Sequence, residues 1–148
     1  MKLIAHRGNT SGPNIDKEND PEYLIQAVDN GFDCEVDVWA IEDKIWLGHD
    51  KPTYEVDANF ISNPNFWNHA KNLEALYFML RNNIHCFWHE VDERTLTSRG
   101  YIWTYPYKQV NNMSVICLQK EQDTIPEGCY GICSDWVSKY ENTILSKS

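Results

Sequence analysis

Apolar residues along this chain come mostly in short strings, each closed by a polar or glycine-containing break, which is the pattern of strands. The first, Lys2-Leu3-Ile4-Ala5, ends in His6-Arg7-Gly8. A polar loop with Gly12 and Pro13 leads to Asp20, which reads as an N-cap with Pro21 at the first helical position. Leu24, Ala27 and Val28 lie three and four apart, so the spacing predicts a helix that Asn30-Gly31 stops. Residues 34–39 have strand period. Glu35, Asp37 and Trp39 fall on one face, and Cys34, Val36 and Val38 on the other. Asp43 turns the chain into residues 44–47, a strand ending in Gly48-His49-Asp50. Residues 66–71 predict another strand, residues 73–80 a second helix, and residues 85–89, 101–105, 114–118 and 130–133 further strands. About eight strands thus stand against two long helices.

Polar, chemistry-bearing side chains recur where these strands end. A (β/α)8 barrel places its active site at the C-terminal ends of its strands. The expected fold is therefore α/β: a minimal (β/α)8 TIM-like barrel with several outer helices reduced or missing, since such barrels usually run to about 250 residues. No repeat, linker or low-complexity tract divides residues 1–148, so a single domain is expected.

Composition narrows the function. With 13 Lys+Arg against 22 Asp+Glu the net charge is −9, which offers no counterion-release drive toward nucleic acid and no attraction to an anionic membrane surface. No apolar run approaches the roughly 20 residues of a membrane helix, and no targeting segment is expected ahead of His6. The five cysteines lack paired CxxC spacing and read as reduced thiols of a cytoplasmic protein. A small-molecule ligand is the expectation, with a homo-oligomer covering exposed strand backs as a further option.

His6, Arg7, Glu18, Asn19, Glu35, Asp37, His49 and Asp50 together suit phosphoryl chemistry. Carboxylates hold a hard divalent cation, an Arg grips phosphate through its planar fork, and two imidazoles serve as acid and base near neutral pH. Two carboxylates side by side on one strand repel, a cost that a cation between them relieves.

The succession His6-Arg7-Gly8, Glu18-Asn19, Cys34-Glu35-Val36-Asp37-Val38 and Gly48-His49-Asp50 resembles the glycerophosphodiester phosphodiesterase family in order and approximate spacing. Further along, residues 69–72, Trp103-Thr104 and residues 130–135 resemble a pared version of its later strands. The resemblance implies a metal-dependent phosphodiester hydrolase of lipid metabolism that cleaves a diester to a phosphomonoester and an alcohol. In it His6 and His49 would be the acid/base pair, and Arg7 and Lys71 would neutralise phosphate. Glu35 and Asp37, helped by Glu18, would hold a divalent cation (Mg2+, Ca2+ or Mn2+). His69 stands where the family carries a third ligating Glu, which favours Mn2+ or Zn2+ relative to Ca2+ or Mg2+. Residues 51–66 are too few for the family's glycerol-recognition insertion.

Two other outcomes stay open. One is a cyclising lyase resembling the phospholipase D toxins; the other is a non-catalytic domain that binds a phosphate ligand. His89, ending a strand, is a candidate for the pocket, whereas His85 reads as structural. Trp103 shares a face with Tyr101 and Tyr105, as a core stripe or as an aromatic pocket wall. The Lys- and Glu-containing C-terminus reads as a solvated tail.

Overall fold

The computed structural model describes residues 1–147. Strand β1 (Lys2–His6) runs parallel to β2 (Asp33–Ile41), and helix α1 (Pro21–Asp29) connects them. Asp20 caps α1 as the sequence predicts, its carboxylate accepting from the Glu22 amide at 2.9 Å. β2 then reverses at Glu42 and Asp43, both at positive φ (50° and 66°), into β3 (Lys44–Leu47) and the short β4 (Tyr54–Val56). Both steps are antiparallel. β5 (Phe66–Ala70) returns to pair parallel with β2, and α2 (Leu73–Arg81) leads to β6 (Cys86–Phe87) beside it. Asn72 caps α2 through the Ala75 amide and also bridges the Ala40 backbone, tying the helix to β2.

β7 (Arg94–Leu96) and β8 (Ile102–Thr104) form an antiparallel pair. β9 (Ser114–Leu118) and β10 (Gly131–Ser134) follow in parallel, and β10 closes onto β1. The main path through the sheet is β4-β3-β2-β1-β10-β9-β8-β7, with β5 and β6 joined at β2.

This architecture corrects the expected one. The fold is a curled, mixed sheet, a strand-rich half-barrel with three short helices, and not an alternating (β/α)8 TIM barrel. The predicted strands form, yet among the described residues only β1–β2 and β5–β6 are connected through an α-helix. The remaining links are hairpins or loops rich in Pro, Asn and Asp, which supply no apolar stripe from which a helix could be built. β4 and β7 are short additional pairings, and β3 runs opposite to β2 rather than as a barrel strand.

The C-terminal segment also departs from expectation. Instead of a solvated tail it forms helix α3 (Val137–Lys147), with Val137 and Tyr140 buried one helical turn apart. Tyr140 packs with Ile116, Leu118 and Ile132 on the outer face of β9 and β10. α1 and α2 cover another part of that outer face, where Leu24, Ala27, Ala75 and Met79 meet Cys34, Val36, Val38 and Phe66.

Strand alternation sends the other set of side chains inward. Ile4, Trp67, Phe87, Trp103, Val115 and Cys133 form the inner cluster. The end of the half-barrel at the strands' N-termini is filled by Trp67, whose ring lies 4.5 Å from His85 and 5.0 Å from Tyr101, and whose indole donates to Asp33 at 2.9 Å. His85 is buried there against Thr97. Burial, with Arg99 nearby, lowers its pKa to about 4, in keeping with the structural role expected of it. Among the described residues, no helix is long and apolar enough to cross a membrane.

Gly48 links the hairpin to the interior. Its amide donates to the Asp37 carbonyl at 3.2 Å, so the returning chain lands beside the middle of β2. Its φ is 153°, and a Cβ there would stand 2.0 Å from the Lys51 carbonyl oxygen. Gly48→Ala is expected to cost on the order of 3 kcal/mol in urea unfolding. Gly31→Ala, with open space around a new Cβ, is expected to cost about 1 kcal/mol. Equal losses in the two variants would contradict this account of the turn.

Candidate active site

A cavity of about 210 Å³ opens at the C-terminal ends of the parallel strands. Its lining includes His6, Arg7, Glu35, Asp37, His49, His69, His89 and Trp103. These come from β1, β2, β5 and β8, from the loop after β1, the turn after β3 and the loop after β6. Two residues expected in the site do not line this cavity. Lys71 follows β5 and donates its amide to the Val38 carbonyl, and Glu18 stands behind Arg7.

Glu35 and Asp37 are only 3% and 0% exposed, side by side on the inner face of β2. Charges buried this deeply need partners. Asn19, itself fully buried at φ 65°, donates from its side chain to Asp37 Oδ2 at 2.9 Å and accepts from the Asp37 amide at 3.0 Å. Arg7 Nε lies 3.4 Å from Asp37 Oδ2, while its terminal nitrogen donates to Glu18 at 3.0 Å. The His69 imidazole faces both carboxylates, with Nδ1 3.2 Å from Asp37 and 3.6 Å from Glu35. Burial favours the protonated form of Asp37, but His69, Arg7 and Asn19 outweigh it and hold its pKa well below the usual carboxylate range.

His69 is fixed from both sides. It stacks on Phe87 with 7° between the ring planes, and Nε2 donates to the His89 carbonyl at 3.0 Å. Nδ1 is therefore the nitrogen turned to the carboxylates. Burial opposes a charged ring, but the two carboxylates outweigh it and raise its pKa to about 10.

One ligand atom from each of Glu35, Asp37 and His69 lies within 4.8 Å of the others. Glu35 Oε1 and Asp37 Oδ1 are buried without a hydrogen-bond partner. Two carboxylate oxygens that accept no hydrogen bond, beside an imidazole nitrogen, fit a divalent cation, and the mixed oxygen and nitrogen set suits Mn2+ or Zn2+ better than Ca2+.

His6 is positioned by a residue the sequence analysis left out of the site. Asp135, just past β10, accepts at 2.9 Å in its contact with His6 Nδ1 and also receives the Asn9 side-chain amide. His6 Nε2 is left toward the cavity, 3.9 Å from Glu35. Burial lowers the His6 pKa, but Asp135 and Glu35 together raise it to about 9. Asp135 was missed as a site residue because it acts through another side chain, and the one available signal was its position just past a strand end. Asn19, grouped with the chemistry-bearing residues from the sequence, is seated by the fold as the partner of Asp37. His49 is partly exposed at the mouth, and its Nδ1 pairs with Asp50 at 2.7 Å. His89 also reaches the cavity, with Nε2 donating to the Asp92 carbonyl. Trp103 stacks on Phe87 at 4.4 Å and belongs to both the core stripe and the wall.

No protein-family model, curated protein or solved structure matches this chain.

The His6–Asp135 pair makes stability depend on pH. A histidine whose pKa is raised on folding contributes fully below its unfolded value of about 6.5, and that contribution is lost as pH rises toward 9. In EDTA, urea unfolding should show stability falling between pH 6.5 and 9. Asp135→Asn should remove about 1 kcal/mol of that fall, allowing for the partial exposure of the ring. A variant slope identical to wild type would contradict the pairing.

Proposed function

We propose that this protein is a metal-assisted phosphodiesterase that cleaves a small phosphodiester to a phosphomonoester and an alcohol. The observation that carries the reading is the convergence in one cavity of two histidines, an arginine and a buried Glu35–Asp37–His69 cluster in which Glu35 Oε1 and Asp37 Oδ1 accept no hydrogen bond. This is the set that cleavage of a phosphate ester calls for.

The cation held by Glu35, Asp37 and His69 would neutralise charge on the phosphoryl oxygens. Arg7 lines the same cavity and supplies fixed positive charge toward the substrate phosphate. His49, with Nδ1 engaged by Asp50, is the base: Nε2 takes the proton of the attacking hydroxyl. His6 is the acid. Asp135 fixes the ring so that a proton on Nε2 is directed into the cavity, where it passes to the departing alkoxide. Phe87, Trp103 and Tyr105 offer the leaving alcohol an apolar wall. Lys71 and Glu18 keep only indirect roles in this reading, Glu18 by holding Arg7. The five free cysteines suit a reducing compartment such as the cytoplasm.

Phosphorus NMR on a panel of glycerophosphodiesters, lysophospholipids, a cyclic nucleotide and a dinucleotide, each with EDTA, Mg2+, Ca2+ or Mn2+, tests the reading. Metal-dependent loss of one diester is expected, with a linear or cyclic product separating hydrolysis from cyclisation. His49→Ala should lower turnover roughly a thousandfold with an unchanged circular dichroism spectrum. Failure of every diester with every metal would instead favour a phosphate-binding domain. For the cation, Asp37→Asn should weaken Mn2+ binding about tenfold or more in calorimetric titration. Unaltered binding in a folded variant would remove Asp37 from the ligand set.

A further inference from the structure

Two cavity-lining side chains take no part in the chemistry above. Cys117 on β9 and Cys133 on β10 are direct neighbours in the register of parallel strands, and both face the interior. The two thiols are close enough to perturb each other's ionisation, and neither is bridged. Paired residues on adjacent strands lie about 4.8 Å apart, within the roughly 4.4–6.8 Å between Cα atoms that a cystine accepts. The thiols differ in access. Cys117 is half-buried in the cavity wall, whereas Cys133 is only 3% exposed.

The other three cysteines are placed differently. Cys34 and Cys86 belong to the core on the outer face of the sheet, and Cys129 lies before β10 with its thiol donating to the Pro126 carbonyl.

We propose that Cys117 and Cys133 form a reversible dithiol–cystine couple in the cavity wall, a site of oxidative modification by small hydroperoxides. The Cys117 sulfur attacks a peroxide oxygen and the O–O bond breaks, releasing water or an alcohol and leaving a sulfenic acid. The Cys133 sulfur then attacks the sulfenic sulfur. The S–O bond breaks, and the hydroxyl leaves as water with the Cys133 proton. Two thiols have lost two electrons in all, and one hydroperoxide has been reduced. Burial keeps Cys133 protonated and out of reach of the peroxide, so the half-buried Cys117 is the thiol that meets the oxidant first. An external thiol restores the pair by exchange. The bridge would lie two residues before Asp135, on the strand that positions His6. The couple requires only the β9–β10 register and stands whether or not the cavity is a phosphodiesterase.

The test uses the full chain, reduced, freed of reductant and exposed to a modest excess of hydrogen peroxide. Remaining thiols are blocked with N-ethylmaleimide, and the chain is digested with trypsin and chymotrypsin, so that cleavage after Tyr130 separates Cys129 from Cys133. The expected product is a peptide pair joined through Cys117 and Cys133, two hydrogens lighter than its parts and released by dithiothreitol. The link should persist in Cys129→Ser and vanish in Cys133→Ser. Recovery of both cysteines as blocked thiols or as separate sulfinic acids, or a bridge from Cys117 to Cys129, would overturn the proposal.

Discussion

Two carboxylates buried side by side on the inner face of β2 impose the constraint on which the rest of this structure depends. Glu35 and Asp37 cannot sit inside a curled sheet as bare charges, because desolvating one carboxylate without partners costs several kcal/mol. The surrounding fold supplies those partners. The loop from Arg7 to Asp20 bends back so that Asn19, strained at positive φ, makes a two-point bond with Asp37, and Arg7 adds its charge from the same loop. β5 runs parallel to β2 in a register that sets His69 opposite Asp37. Glu35 Oε1 and Asp37 Oδ1 accept no hydrogen bond; they face only imidazoles, His6 Nε2 at 3.9 Å and His69 Nδ1 at 3.2 Å.

The half-barrel separates two environments along its axis. Near the strands' N-termini, aromatic rings and a satisfied Asp33 make a packed plug; near the C-termini, charged groups surround a cavity. The plug lets the charged end be rigid, since Phe87 both joins the inner cluster and holds the His69 ring flat. Few helices are needed for this. The outer face is covered by α1, α2 and α3, and hairpins or loops replace the remaining helical crossovers. The β2–β3 hairpin also serves the site, because β2 overshoots the cavity and the returning strand carries His49 down to it.

Much of this was legible from periodicity. Alternation alone placed Glu35 and Asp37 on the face opposite Cys34, Val36 and Val38, and that is how the strand divides between cavity and outer core. The Asp20-Pro21 start of α1 and the ends of β3 and β9 were equally local matters of capping and β-branched strings. The helical stripe of Val137, Tyr140 and Ile144 was also present in the sequence, but the charges around it made the segment read as a tail. Only the apolar outer face of the sheet gives Val137 and Tyr140 something to bury against, Val137 in the core that includes Ala5 of β1 and Tyr140 on β9 and β10.

By itself, then, the sequence determined the strands other than the short β4 and β7, which side chains share a face, and which residue types end those strands, because these follow from bond geometry over a few neighbouring residues. The tertiary structure decided the rest. It set β3 antiparallel, brought Asp135 from 129 positions away to His6, seated Asn19 under Asp37, and left Lys71 outside the cavity. Those outcomes depend on which strands become neighbours as the sheet curls, and that is settled by the summed burial of both faces, which no local pattern encodes.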